Sequence, residues 1–91
     1  MSVYSLTYDL RAPDKDYSGL IAAIKKFDTC RATMSQWLIS TDMSAAAIRD
    51  YVGRHADAND VIFVQLLGVD WAGRNLPQDV VDWLKRRRMA A

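Results

Sequence analysis

Residues Ser2 to Asp9 alternate, with Tyr4, Leu6 and Tyr8 on one side and Val3, Ser5 and Thr7 on the other. That two-residue period predicts a strand whose aromatic face is core. Leu10 to Asp16, which holds Pro13 and charged residues, reads as a loop, with Asp14 or Asp16 placed to cap a helix. From Tyr17 the period changes: Leu20, Ile21, Ile24 and Phe27 recur at three- and four-residue intervals, the stripe of that helix, and Lys25 and Lys26 suit the negative end of its dipole. Asp28 to Met34 and Gln36 to Thr41 read as two strands, the second rich in strong strand formers at Trp37, Leu38 and Ile39. The turn between them carries no Gly or Asn signal.

Asp42 or Ser44 can cap a second helix, whose buried stripe is Ala46, Ala47, Ile48, Tyr51 and Val52, with Gly53 and His55 near its end. Ala58, Asn59 and Asp60 turn the chain. Val61 to Leu67 is apolar except for Gln65, the pattern of an interior strand covered on both faces. After the loop Gly68 to Leu76, Pro77 opens a terminal helix that buries Val80, Val81, Trp83 and Leu84. Strand, helix, strand, strand, helix, strand is the order of a ferredoxin-like α+β domain, βαββαβ, here with an additional C-terminal helix and an antiparallel four-stranded sheet. Two crossover helices on one face leave Val3, Ser5 and Thr7 on the other beside apolar groups of the last strand. Such a surface predicts a homodimer through the sheet face, with the terminal helix able to share in covering it.

Length and composition narrow the picture without redirecting it. Residues 1–91 suffice for a single ferredoxin-like domain, and 51% hydrophobic with 25% charged residues is a globular balance. No apolar stretch approaches the ~20 residues that span a bilayer, so no membrane partner is expected. One cysteine, Cys30, excludes an internal disulfide, and no leader-like pattern opens the chain, which together favour a cytoplasmic location. All eleven acidic residues are aspartate. With a net charge of +1, attraction to nucleic acid has to come from a local cluster, and Lys85, Arg86, Arg87 and Arg88 form the obvious one. The same run also complements a helix dipole.

Leu6-Thr7-Tyr8-Asp9 at the end of the first strand and Ser35-Gln36-Trp37-Leu38 at the start of the third resemble the small CRISPR-associated endoribonuclease family. That family includes the ferredoxin-like partner of the CRISPR integrase and resembles the virulence-associated toxin-type ribonucleases. The segment Val69-Asp70-Trp71-Ala72-Gly73, with Pro77 and Trp83-Leu84, is more similar to stand-alone bacterial relatives of the family. The resemblance implies a homodimeric, metal-dependent endoribonuclease that cleaves or binds RNA or DNA. Asp9 would be its catalytic residue, holding a Mg2+ ion together with its symmetry mate, and oxygen ligands of that kind suit magnesium. The residue read by itself is equally an ordinary turn aspartate. Arg11, two residues on, is placed to meet a phosphate or to stay solvated. Trp71, in a loop beside Gly73, is the candidate for a ligand or subunit contact. A non-catalytic dimeric binding or scaffold module of the same fold is the alternative. His55 is the only histidine, so no histidine pair arises within one chain.

Overall fold

The computed structural model describes residues 1–87, and Arg88 lies outside them. The elements run in the order β1 (Ser2–Asp9), α1 (Ser18–Ile24), β2 (Asp28–Thr33), β3 (Gln36–Thr41), α2 (Ala45–Gly53), β4 (Val61–Leu66) and α3 (Gln78–Arg86). The four strands form one antiparallel sheet in the order β2-β3-β1-β4, the ferredoxin-like arrangement with a C-terminal helix added. Among the described residues no helix is long and apolar enough to cross a membrane.

The local chemistry explains the element ends. At α1 the Asp16 carboxylate accepts from the Ser18 N–H at 2.9 Å, at the helix start, while at α2 the Ser44 hydroxyl accepts from the Ala47 N–H at 3.1 Å. The β2–β3 turn, at Met34 and Ser35, dispenses with glycine because side chains hold it. Arg31 Nη2 and the Tyr8 hydroxyl donate to the Met34 carbonyl at 2.6 and 3.3 Å, and the Tyr8 N–H donates to Ser35 O.

Two cores share the sheet. On one face Leu6, Tyr8, Trp37 and Ile39 meet Leu20 and Ile24 of α1 and Ile48 and Val52 of α2. On the other, Val3 and Leu38 pack with Val80, Trp83 and Leu84 of α3, flanked by Cys30, Ala32, Leu67 and Trp71. The terminal helix therefore covers much of the face that the sequence assigned to a partner. Ser5, which lies on that face, is buried and accepts from Gln36 Nε2 at 2.9 Å.

The strand Val61–Leu66 departs from expectation. It is an edge strand, not an interior one, and Val61, Phe63 and Leu66 are 42%, 58% and 62% exposed. The reason is geometric: α3 packs toward β2, at the far edge, and does not extend its cover across β4.

Candidate functional site

Two regions gather the residues singled out in the sequence, at opposite ends of β1. At its C-terminal end Asp9 stands opposite Val61 of β4, and its carboxylate is held by Arg11, with Nε and Nη2 both 3.0 Å from Oδ2. Both side chains are exposed, so water screens the pair and its contribution to stability is below about 1 kcal/mol. Arg11 is fixed a second time through its backbone, whose N–H donates to Asp60 Oδ1 at 2.6 Å. The same Asp60 carboxylate accepts from the Tyr17 hydroxyl at 2.7 and 2.8 Å and from the Asp57 N–H at 2.8 Å. Partial burial raises the Asp60 pKa, but these donors outweigh it and leave the carboxyl below its ordinary range. Asp60 thereby ties the β1–α1 loop to the α2–β4 turn, a role that its place in a turn sequence did not announce.

A magnesium ion at this end would be held by Asp9, whose carboxylate faces the Arg11 guanidinium; no group of three or more His, Cys, Asp or Glu side chains able to hold a metal occurs among the described residues. Neither Asp14 nor Asp16 is the N-cap of α1, which is Tyr17; the Asp16 carboxylate, one residue earlier, is engaged by the Ser18 N–H, which leaves its pKa depressed.

The other end is basic. The Arg87 guanidinium stacks on the Trp83 ring at 3.8 Å and forms an ion pair with Asp28, the first residue of β2, with Nε 3.1 Å from Oδ2. Its Nη1 donates to the Trp83 carbonyl at 3.0 Å, and Trp83 Nε1 donates to Asp28 Oδ1 at 3.3 Å. Arg87 is thus a clamp between α3 and β2 rather than a free cation, and its partner stands fifty-nine positions away. Lys85 and Arg86 beside it remain exposed. Lys25 and Lys26, also exposed, come after the last residue of α1 and precede Asp28 in the chain by three and two residues. A groove of about 230 Å3 lined by Met1, Ser40, Arg86 and Arg87 opens at the same end.

The hydrogen bond from Arg87 leads the causes that hold the Asp28 carboxyl below its ordinary value, against the opposing effect of burial. A depressed folded-state pKa means that the unfolded chain binds the proton more readily. The stability that Asp28 contributes is therefore present above the ordinary carboxylate range and lost as pH falls through the folded value. Asp28→Asn is expected to lower the urea midpoint at pH 7, with the gap from wild type closing as the pH falls below the ordinary carboxylate range and through the depressed folded value. A gap that persists at acid pH means that the clamp does not work through the carboxylate charge.

Trp71 is half-buried against the α3 core and, with Gln36, Leu38, Leu67 and Leu76, lines a narrow apolar cleft of about 140 Å3. In the adjoining loop a Cβ on Gly73 would overlap the Leu76 side chain, and Asn75 takes the left-handed conformation at φ 62°. His55 packs edge-on to Tyr51, which packs on Phe27. No protein-family model matches this chain, and no solved structure matches it either.

Proposed function

We propose that the protein is a homodimeric, non-catalytic module that binds the phosphate backbone of nucleic acid. The observation that supports this reading is the basic end: Arg86 lines a groove with Arg87, Lys85 beside it on α3 is exposed, and Arg87 anchors the helix that carries both. Cations grouped on one surface act on phosphates although the whole chain carries only +1. The endoribonuclease activity implied by the resemblance at Leu6–Asp9 is the weaker reading, because Asp9 is already paired with Arg11. A homodimer belongs to the proposal, since two copies present two such surfaces to one strand.

Fluorescence anisotropy with labelled RNA and DNA, single- and double-stranded, tests it. Binding is expected at low salt, and replacing Lys85 and Arg86 together by alanine is expected to weaken it about tenfold and to reduce the salt slope by about 2. Binding that ignores both residues sinks the proposal. In parallel, Mg2+ or Mn2+ is expected to yield no cleavage that Asp9→Ala removes. Cleavage lost in that variant restores the nuclease reading.

A further inference from the structure

The two edges of the sheet are built differently. β2 carries Asp28 and Arg31, breaks its register between Arg31 and Thr33, and has α3 packed against it. Charge, irregularity and cover are the devices that keep an edge from recruiting another strand. β4, Val-Ile-Phe-Val-Gln-Leu, has none of them: no charge, no proline, no irregular register, and three exposed large apolar side chains. Among the described residues no strand lies outside it.

The direction of its free backbone groups is set by the register. Leu67 N–H donates to Val3 O at 2.9 Å, and Ser5 pairs with Gln65, Thr7 with Phe63 and Asp9 with Val61. In an antiparallel ladder these alternate residues exchange hydrogen bonds, so the N–H and C=O groups of the residues between them, Ile62, Val64 and Leu66, point outward.

We infer that β4 is the contact between two copies of this chain, paired antiparallel about a two-fold axis at Val64. That register sets Val64 against the partner's Val64 and Ile62 against the partner's Leu66, and it closes about six main-chain hydrogen bonds from the outward groups alone. It is self-complementary, as a two-fold contact requires. Phe63 faces the partner's Gln65 and comes within about 7 Å of the partner's Phe63 along the diagonal. Leu66 covers the partner's Ile62. The charges are compatible too, because the strand is neutral and Asp60 at its mouth falls opposite the partner's Gly68. The two four-stranded sheets become one continuous sheet, and the apolar sequence of an exposed edge acquires its cover.

The geometry also bears on Asp9. Each Asp9 lies one strand inward and three residues from the axis, so the two carboxylates stand about 25 Å apart, at ~3.4 Å per residue and ~4.8 Å per strand. No ion bridges that distance. The inference rests on the proposed function only in calling for two copies, and nucleic-acid binding is read by a separate assay.

Analytical ultracentrifugation of the full chain, with amide hydrogen exchange on the same samples, decides the matter. The wild type is expected to sediment as a dimer. The amides of Ile62, Val64 and Leu66 are expected to slow about tenfold or more on concentration, while those of Phe63 and Gln65 stay slow throughout. Val64→Pro removes an outward N–H and leaves the bonds to β1 in place, so a folded monomer is expected. Should that variant fail to fold, Phe63→Lys, at an exposed position, is expected to weaken the dimer about tenfold or more by setting like charges across the diagonal. A monomeric wild type, or a dimer whose outward amides exchange freely, overturns the inference.

Discussion

Trp83→Ala is expected to destabilise the domain by about 3–5 kcal/mol, the range for removing a large buried aromatic. Trp83 is 4% exposed and sits in the core that α3 builds with Val3, Leu38, Val80 and Leu84. Its loss acts three times: a cavity opens under α3, Arg87 loses the ring beneath its guanidinium, and Asp28 loses the indole donor. Against a total of about 5–15 kcal/mol for a small domain this is a large fraction. A urea titration followed by far-ultraviolet circular dichroism reads it, and a shift below about 1 kcal/mol contradicts the packing of α3 on the sheet.

Cys30 supplies an independent report on the same helix. Burial chiefly, with the nearby charge of Asp79 second, pushes its thiol up to about 11, so it stays protonated and slow toward disulfide reagents at pH 8. Loosening α3 exposes it and lowers that value, and the Trp83→Ala protein is expected to react with an aromatic disulfide faster than wild type. Conversely, Arg87→Met keeps the aliphatic cover on Trp83 while discarding the charge, and its effect is expected to fall well short of the tryptophan's.

What the sequence disclosed depended on the range of the interactions. β1 and β3 could be read to their ends, because alternation in Ser2–Asp9 and the aromatic and β-branched run Trp37–Ile39 are signals within a few residues. Ser44 announced α2 for the same reason. The Arg87–Asp28 clamp was not legible: the run Lys85–Arg88 looks like any solubilising end, and nothing near Arg87 points across the chain to β2. Asp60 was hidden likewise, since its partners Arg11 and Tyr17 arrive through topology. β4 misled in a more instructive way. A continuous apolar run reports that both faces want cover, but it carries no information on whether the cover comes from the same chain. Here α1 and α2 supply one face, α3 stops short on the other, and the remaining demand falls on an edge.

Trp37→Ala is expected to cost about as much as the loss of Trp83, roughly 3–5 kcal/mol, and to reach further into the fold. Trp37 lies on the interior strand β3, 4% exposed, between Leu6 of β1 and Arg31 of β2 in the ladder. Its Nε1 donates to the Tyr8 hydroxyl at 3.1 Å, Arg31 lies over its ring at 5.1 Å, and Tyr8 and Arg31 both donate to the Met34 carbonyl that shapes the turn. Tyr8→Phe leaves the indole N–H buried without an acceptor, at an expected cost of about 1–3 kcal/mol, whereas Trp37→Phe removes that donor together with its need for a partner. The double replacement of Tyr8 and Trp37 by phenylalanine is therefore expected to cost less than the two single changes added together. Additive losses would mean that the Trp37–Tyr8 bond is not what couples the turn to the core. A sub-additive result would place the β2–β3 turn under the control of two buried rings, which is how a turn without glycine keeps its shape.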